Sequence, residues 1–470
     1  MRAVERHVFS SALAARGDVC TMLGRVMRRI DLRGWTIDSS TLAHVLPRAA
    51  LDITAAADQV RPVVEAVRAR GAAAIAEFTE RFDGVRPASL AVPRGAMRAA
   101  LTAMDASLRE ALTEAITRTR RVHAAQVPTG GTVQVTDGGR VTQRWIPVRR
   151  VGLYVPGGLA VYPSSVVMNV VPAQEAGVSS IAVACPPRKD SAGWPHASVL
   201  ATCELLGVHE VYAVGGAQAI AMLAHGVTDD AGRRLVEPVD VITGPGNVWV
   251  QAAKRLVMGT VGIDAEAGPT EIAILADAGA NPDYVAADLV SQAEHDPLAA
   301  SVLITNSPDL ADAVDKAVAR RSAATLHAER VAVALTGPQS GIILVDSLDA
   351  GLCVVNAYAA EHLEIQTAHA ADVARRVHSA GAIFVGPASP VPLGDYLAGS
   401  NHVLPTGGTA RFASGLNATS FLKSVQQIDY TVAALAEATE ALEVLSRAED
   451  LPAHGESARA RSPGVHKPPS

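Results

Sequence analysis

Four short segments of the sequence carry side chains that could bind a metal or move protons. In the first, SQAEHD, Gln292 and His295 lie three residues apart at the end of a predicted helix that begins near Pro282. Residues with this spacing share a helix face, so the amide and the imidazole can converge on one point. A neutral imidazole is a good zinc ligand and an amide oxygen a rarer one, so an ordinary polar helix end is the alternative.

The second and third segments offer candidate acids and bases. Glu361 and His362 are adjacent, and a carboxylate next to an imidazole supplies groups whose pKa the surroundings can bring near neutrality. A solvated surface pair is the alternative. Residues 394–408 combine Asp395 and His402 with several glycines, a composition that is typical of active-site loops and also of ordinary turns.

The fourth segment, EDLPAH, places Glu449 and His454 after a predicted acidic helix, where a charged helix end beside a proline is the alternative. The sequence contains no G-x-S-x-G and no H-E-x-x-H, which excludes two large classes of hydrolase. Its four cysteines have no CxxC spacing, so neither a disulfide framework nor a thiolate zinc site is predicted. Cys185 and Cys203 are expected to be buried apolar side chains in a protein of the reducing cytoplasm.

Three glycine-rich turns follow predicted strands, at residues 156–158, 215–218 and 244–247. Glycines let the backbone approach a ligand closely, and doubly wound sheets bind nucleotides at the carboxyl ends of their strands. Three such turns in succession favour a shared crevice. The sequence has no G-x-G-x-x-G, so tight strand-to-helix turns without a ligand are the alternative.

The elements that must position these groups change in character near residue 150. Before it, apolar spacing predicts a helix over about 56–82, interrupted at Gly71, and one long amphipathic helix over 97–123. After it, short apolar runs alternate with helical segments, which is typical of parallel strands joined by crossover helices. The runs are VGLYV, SIAVAC, EVYAVGG, DVITGPGN, EIAILAD, SVLIT, GIILVD and AIFVG.

Composition and charge exclude several classes of protein. With 470 residues, 49% hydrophobic and 19% charged, the chain is globular and long enough for about two or three domains. Forty-one basic against forty-seven acidic residues give a net charge of -6 without a basic stripe, so no nucleic-acid partner is expected. The charge-free residues 151–174 contain prolines and glycines that a lipid-spanning helix would not hold, so no membrane segment is predicted.

Taken together, these segments resemble the histidinol dehydrogenases, a family of zinc- and NAD-dependent enzymes that complete histidine biosynthesis. The resemblance implies an α/β fold with two incomplete Rossmann-like, doubly wound parallel-sheet domains and smaller helical N- and C-terminal segments, in an intertwined homodimer. The matching segments lie in the family order over about residues 30–460. They are VGLYVPGG, VGGAQAIAMLAHG, GPGNVWVQAAKR, GIDAEAGPTEI, DLVSQAEHD, NAYAAEHLEI, GDYLAGSNHVLPTGG and AEDLPAHGE.

The resemblance also implies a division of the chain into six parts. The two termini are expected to be disordered, and the part before the C-terminal tail is expected to contribute to the partner subunit. The parts are 1–30 (N-terminal extension), 31–145 (mainly helical region), 146–265 (first Rossmann-like domain, with the NAD contacts), 266–390 (second Rossmann-like domain), 391–460 (active-site loop and C-terminal helical segment) and 461–470 (tail).

Roles carry over from the family position by position. Glu361 and His362 match its acid/base pair: His362 would take the alcohol proton as hydride leaves for NAD, and Glu361 would activate the water that hydrates histidinal. A second hydride transfer would then give L-histidine. The implied zinc ligands are Gln292, His295, Asp395 and His454, the last from the other subunit of a dimer with shared active sites.

Further positions match the cofactor and substrate contacts of the family. The implied NAD contacts are Tyr154, Gln218 and Asn247. The implied substrate contacts are Thr270, Gln292, His295, His362, Asp395, His402, Glu449 and His454. Thr270 stands where the family usually has serine, which keeps the hydroxyl and adds a methyl group, so a modest effect is expected.

Two other functions would use the same residues. A related zinc- and NAD-dependent dehydrogenase would oxidise another polar alcohol, such as a sulfonated diol, but it should alter the positions that hold the imidazole and amine, which are intact here. A zinc hydrolase would use Glu361 and the metal to activate water, and it would have no use for the NAD-contact positions. The expected partner is therefore the small molecule L-histidinol, and the expected location is the cytoplasm.

Overall fold

The computed structural model describes residues 26–37, 42, 45–49, 52–157, 160–229, 231–266 and 268–461. Most of the expected N-terminal extension and nearly all of the expected tail lie outside the described residues. The strands are β1 (Arg29–Asp31), β2 (Gly131–Thr136), β3 (Gly139–Pro147), β4 (Arg150–Tyr154), β5 (Ser180–Cys185), β6 (Glu210–Ala213), β7 (Val227–Thr228), β8 (Arg234–Val236), β9 (Val241–Thr243), β10 (Gly262–Ile263), β11 (Glu271–Ala276), β12 (Ala300–Thr305), β13 (Gly341–Leu344), β14 (His362–Gln366), β15 (Ala382–Val385) and β16 (Leu422–Tyr430).

The helices pack mainly against two parallel sheets. They are α1 (Ile53–Arg70), α2 (Ala72–Asp83), α3 (Arg94–Ala103), α4 (Ala106–Gln126), α5 (Pro163–Glu175), α6 (Ala197–Leu205), α7 (Gly216–His225), α8 (Val248–Val257), α9 (Pro282–Ala293), α10 (Pro308–Ala324), α11 (Ala328–Thr336), α12 (Leu348–Tyr358), α13 (Ala370–Ala374), α14 (Val391–Tyr396), α15 (Val432–Ala448) and α16 (Pro452–Arg459).

The first parallel sheet has the strand order β10-β9-β4-β5-β6. Most apolar side chains of its central strands are buried, and Val151, Leu153 and Val183 are fully buried, because two separate core clusters cover its faces. The apolar runs VGLYV, SIAVAC, EVYAVGG and DVITGPGN each contain one of these strands, as predicted. The mixed α/β class and the parallel pairing expected from the sequence are confirmed.

The second parallel sheet has the order β1-β13-β12-β11-β14-β15. Two of its strands were not predicted. β14 alternates His362, Glu364 and Gln366 with apolar residues, so it lacks the continuous apolar run by which the others were found, although it is wholly buried. β1 begins at Arg29, inside the expected N-terminal extension, and adds to the edge of the sheet through a parallel pairing with β13.

A third, antiparallel sheet joins β2, β3 and β16. Residues 131–147 therefore form a hairpin inside the part of the chain that was expected to be helical. Its strands alternate polar and apolar residues and both faces are largely exposed, so the hydrophobic periodicity gives little indication of a buried strand. Together with α15 and α16, this sheet makes up what we call the C-terminal arm, residues 131–147 and 422–459.

The single amphipathic helix predicted over residues 97–123 is wrong: two helices, α3 and α4, occupy the stretch. The break lies at Asp105, whose carboxylate accepts the backbone N–H groups of Ser107 and Leu108 and so caps the start of α4. The predicted interruption at Gly71 is confirmed. This residue ends α1 with φ of +53°, a conformation that favours glycine.

The predicted burial of Cys185 and Cys203 is confirmed. Cys185 and Cys203 are buried free thiols, and burial raises the pKa of Cys185 to about 12, so neither supplies a ready nucleophile. Within the described part of the chain, no helix has the length and hydropathy needed to cross a membrane.

Candidate active site

Parallel pairing of β11 with β14 brings the first site residues together. Thr270 immediately precedes β11, and Glu361 immediately precedes β14. The Thr270 hydroxyl donates a hydrogen bond to Glu361 Oε2 over 2.5 Å. Gln292, at the end of α9, donates its amide N–H to the same hydroxyl oxygen, also over 2.5 Å. This cluster therefore lies at the amino ends of the strands of the second sheet, not at the carboxyl ends that bind ligands in doubly wound sheets generally.

His362 is held as a neutral imidazole with one nitrogen free. Its Nδ1 lies 3.3 Å from the backbone oxygen of Glu271, which can only accept, so the ring proton belongs on Nδ1. Nε2 is buried without a hydrogen-bond partner among the described residues and lies 3.7 Å from Asp395 Oδ1. Burial lowers the pKa of His362, which keeps the Nε2 lone pair available. This is the arrangement that a general base requires.

Glu361 is a buried carboxyl group with a raised pKa. Burial raises its pKa to about 8, and the charge of Asp395 acts in the same direction. Oε2 accepts hydrogen bonds from the Thr270 hydroxyl and, over 2.9 Å, from the backbone N–H of Glu271. These two bonds partly offset the rise in pKa, because they stabilise the ionised form. The group can therefore hold or release a proton near neutral pH.

His402 connects the loop of residues 394–408 to helix α5. Its Nδ1–H donates to the backbone oxygen of Asp395 over 3.1 Å, so its Nε2 accepts from the Ser165 hydroxyl, also over 3.1 Å. Burial lowers the pKa of His402, which fits a neutral ring with both nitrogens engaged. Ser165 lies on α5, and its part in the site was not predicted because a serine in an apolar helix gives no signal by itself.

Gln292, His295 and Asp395 are predicted metal ligands, and Gln292 already belongs to this cluster. Burial lowers the pKa of His295, and this effect outweighs the negative charge of Asp395, which raises the pKa. The imidazole is therefore in the neutral form that binds metals. The described residues contain no group of three or more His, Cys, Asp or Glu that could hold a metal. An imidazole, a carboxylate and the amide oxygen of Gln292 fit zinc chemically, but the chain by itself leaves the set one ligand short.

The structure does not bring Glu449 and His454 to this cluster. Glu449 follows α15 and His454 lies in α16, and both side chains are exposed. Neither forms a hydrogen bond or ion pair with a cluster residue in the described structure. Both residues belong to the C-terminal arm, whose exposed apolar side chains include Val133, Ile428 and Leu445.

A cavity of about 860 Å³ opens at the carboxyl ends of the first sheet. All three predicted glycine turns contribute to its lining, as do Tyr154, Gln218 and Asn247. Gln218 is almost fully buried, yet neither polar atom of its amide has a hydrogen-bond partner among the described residues. Because an unpaired buried amide is costly, this side chain fits a site whose ligand supplies the missing partners.

The other two predicted cofactor contacts already have partners within the chain. The Tyr154 hydroxyl accepts the N–H of Gly216 over 3.1 Å, and burial raises the pKa of this tyrosine. The side-chain oxygen of Asn247 accepts the N–H groups of Trp249 and Val250, so it caps α8. These contacts hold the turns that border the cavity.

Glu271 and Arg48 also belong to the candidate site, although neither was predicted from the sequence. Burial raises the pKa of Glu271 to about 7, and Arg48 Nη1 lies 3.3 Å from its carboxylate. Arg48 also stacks over the ring of Tyr358 and donates to the backbone oxygen of that residue. The signal in the sequence was Glu271 itself, because a charged residue at the start of the apolar run EIAILAD is unusual for a buried strand.

Lys254 and Asp264 form a buried ion pair that supports the turn at residues 244–247. Lys254 donates to the backbone oxygen of Gly244 over 2.8 Å and contacts Asp264, which accepts the N–H of Gly244. Gly244 has φ of +120°, and a side chain there would collide with the backbone oxygen of Tyr154. The pair therefore fixes a turn that only glycine can make.

Lys254→Met is expected to destabilise the protein by about 3–5 kcal/mol, because it leaves the Asp264 carboxylate buried without its cation. The measurement is the free energy of unfolding in urea. The matched control is Arg255→Met, whose partner Glu266 is partly exposed, with an expected loss of at most about 1 kcal/mol. Equal losses in the two variants would refute the structural role of the buried pair.

Comparison with known proteins gives a consistent result. The family model described as histidinol dehydrogenase matches residues 46–462. A curated histidinol dehydrogenase from Nocardia farcinica is 61% identical over 435 residues, covering 93% of this chain and 98% of the relative. One from Thermobifida fusca is 60% identical over 438 residues, with the same coverage of both chains. The crystal structure of histidinol dehydrogenase from Elizabethkingia anophelis superposes with a TM-score of 0.85 at 30% identity, covering 93% of this chain and 98% of that one.

Proposed function

This chain belongs to the histidinol dehydrogenase family, and from that premise we propose that it oxidises L-histidinol through L-histidinal to L-histidine with NAD as the oxidant. The observation that carries the proposal is the free, buried Nε2 of His362, beside the raised-pKa carboxyl group of Glu361. A neutral base and a carboxyl group that can exchange a proton are the two groups that an alcohol-to-acid oxidation through a hydrated aldehyde needs.

In the first step, His362 Nε2 accepts the hydroxyl proton of the alcohol while the carbon loses hydride, which leaves the aldehyde and reduced cofactor. Glu361 then takes a proton from the water that adds to the aldehyde carbon, and protonated His362 returns its proton to the aldehyde oxygen, which gives the hydrate and restores the neutral imidazole. Glu361 afterwards releases its proton to solvent. In the last step, His362 accepts a hydroxyl proton of the hydrate as a second hydride leaves, which gives the carboxylic acid. When bound, NAD supplies the hydride acceptor and zinc a fixed cation that orients the amine and imidazole of the substrate.

The proposed zinc site consists of Gln292, His295 and Asp395 with His454 of the partner subunit. The chemistry of the donor set supports this, because the chain alone supplies three suitable ligands and leaves His454 exposed on the C-terminal arm. In a homodimer, the arm of one subunit would cover the cluster of the other and bury apolar side chains such as Ile428 and Leu445. Glu449 of the partner subunit would reach the substrate by the same route.

The proposed cofactor site is the cavity lined by Tyr154, Gln218 and Asn247. The unpaired Gln218 amide supports it, since a nucleotide offers both donors and acceptors. His402 is proposed to shape the substrate pocket through its bonds to Asp395 and Ser165. Free thiols at the described cysteines fit the cytoplasmic location proposed from the sequence.

The decisive experiment is NADH formation from L-histidinol at alkaline pH, before and after chelation, with histidine and NADH quantified at completion. We expect two NADH per histidine, loss of activity on chelation and recovery with zinc. NADH from other polar alcohols but not from histidinol would instead favour the related alcohol dehydrogenase. Turnover without NAD would favour the zinc hydrolase.

Thr270 links Gln292 to Glu361 through its hydroxyl group alone, so a matched pair of variants tests that link. Thr270→Ser keeps the hydroxyl and restores the residue usual in the family, and its kcat/KM is expected to stay within about threefold of the original. Thr270→Val keeps the shape but removes one donor and one acceptor, and a loss of about a hundredfold is expected. Steady-state kinetics with L-histidinol measures both, and similar values for the two variants would contradict the proposed link.

A further inference from the structure

Asn401 is a buried amide next to His402, and none of the proposed roles uses it. Its side chain is 7% exposed and contacts both α4 and α5. Nδ2 donates a hydrogen bond to the backbone oxygen of Met168 over 2.6 Å, and Oδ1 accepts the backbone N–H of Val403 over 2.9 Å. These contacts need a donor at one end of the amide and an acceptor at the other, so they fix its orientation.

The Met168 carbonyl is available because of a proline in α5. In an α-helix, the oxygen of residue 168 would accept the N–H of residue 172. Residue 172 is a proline that lies inside the helix and has no N–H to donate. The Asn401 amide therefore supplies a donor to a buried carbonyl that lacks its regular one.

A buried histidine on α4 also contacts the Asn401 amide. His123 is fully buried, and its Nε2 lies 3.4 Å from Asn401 Nδ2. Its Nδ1 lies 2.5 Å from Gln126 Oε1, which also accepts the backbone N–H of Ala418. Because this amide oxygen can only accept, His123 Nδ1–H donates to it, and Nε2 accepts from Asn401. Both hydrogens of the Asn401 amide are thus engaged.

The two bonds from the loop of residues 394–408 to α5 involve successive residues. The Asn401 amide binds the Met168 oxygen, and His402 Nε2 accepts from the Ser165 hydroxyl. Residues 165 and 168 are three apart on α5 and so lie on the same helix face. Two attachment points fix the direction of the backbone at residues 401 and 402, whereas the Ser165 bond alone would leave the loop free to pivot about it.

We propose that Asn401 is a positioning residue for His402, and that it fixes the loop on α5 through the Met168 carbonyl that Pro172 leaves available. Asn401 acts through His402 and does not touch the substrate. The consequence for catalysis rests on the proposed function, in which His402 shapes the substrate pocket. The attachment itself rests on the contacts of this chain.

Asn401→Ser tests the attachment, with Asn417→Ser as the matched control. A serine hydroxyl can still accept an N–H two residues later, but it is too short to reach the Met168 oxygen. We expect kcat/KM for L-histidinol to fall about tenfold, mainly through KM, while KM for NAD stays within about twofold. Asn417 donates to the Gly415 oxygen and accepts the N–H of Thr419, but both bonds stay within one loop. The control is expected to keep kcat/KM within about threefold.

A double substitution tests whether Asn401 acts through His402. If it does, adding Asn401→Ser to His402→Asn is expected to change kcat/KM by less than about threefold, because the side chain that Asn401 positions is already gone. A further loss of about tenfold would show that Asn401 acts by another route, and it would overturn the proposal.

Amide hydrogen exchange measures the attachment without metal or substrate. In chelated protein, residues 399–404 are expected to exchange faster in Asn401→Ser and to match the unsubstituted protein in Asn417→Ser. Unchanged exchange at residues 399–404 in Asn401→Ser would overturn the proposal, as would equal losses of kcat/KM in the two variants. If the unsubstituted protein does not oxidise histidinol, the proposed function fails, and the exchange comparison still decides whether Asn401 fixes the loop.

Discussion

His362→Asn is expected to lower kcat for the oxidation of L-histidinol by about a thousandfold, because it removes the proposed base for the alcohol proton. Nδ1 of His362 donates to the backbone oxygen of Glu271, so the lost function is that of the free Nε2. Asparagine offers an amide in place of a basic nitrogen. The measurement is the steady-state and single-turnover rate of NADH formation.

The matched control for this variant is His295→Asn, which removes a proposed metal ligand with the same substitution. We expect His362→Asn to retain zinc and His295→Asn to lose it, with both proteins folded by circular dichroism. Metal content after gel filtration separates the two cases. If His362→Asn lost zinc to the same extent, the imidazole would be a ligand, and its assignment as the base would be withdrawn.

Mixed dimers of two inactive variants are expected to regain activity if the active site is shared between subunits. Asp395→Asn lacks a proposed ligand in the cluster and His454→Asn lacks the proposed ligand on the C-terminal arm, so each homodimer should be inactive. A mixed dimer contains one site with both defects and one intact site. Random mixing of the subunits should therefore restore about a quarter of the sites, from a background near zero.

The control mixture is Asp395→Asn with His295→Asn. Each subunit then carries a defect in its own cluster, so both sites of the mixed dimer are defective and no recovery is expected. Co-expression with two affinity tags isolates the mixed dimers for the assay. Isolated mixed dimers of the first mixture without activity would rule out a shared site and require His454 to act within its own chain or not at all.

Much of the fold could be predicted from the sequence, because parallel strands buried on both faces are continuous apolar runs. Eight such runs each contain a strand of the two parallel sheets. The exceptions have physical reasons. β14 alternates polar and apolar residues although all of it is buried, and the exposed hairpin of residues 131–147 buries too little to show a clear period. The break between α3 and α4 depends on a single capping residue, Asp105.

For the site, the sequence by itself determined the types of chemical groups and the family to which their order belongs. It singled out Gln292, His295, Glu361, His362, Asp395 and His402 before any geometry was known. Only the tertiary structure decided which nitrogen of His362 is free and that Thr270 bridges Gln292 and Glu361.

The physical reason is that tautomers, protonation states and pKa shifts depend on burial and on contacts between residues far apart in sequence. Glu271 and His362 are separated by ninety-one positions, yet the carbonyl of one fixes the proton of the other. Parallel pairing of β11 and β14 creates that contact, and no local pattern encodes it. The sequence determines which chemical groups are available. Strand pairing and burial in the folded chain determine which atoms of those groups are free and which protonation state they adopt.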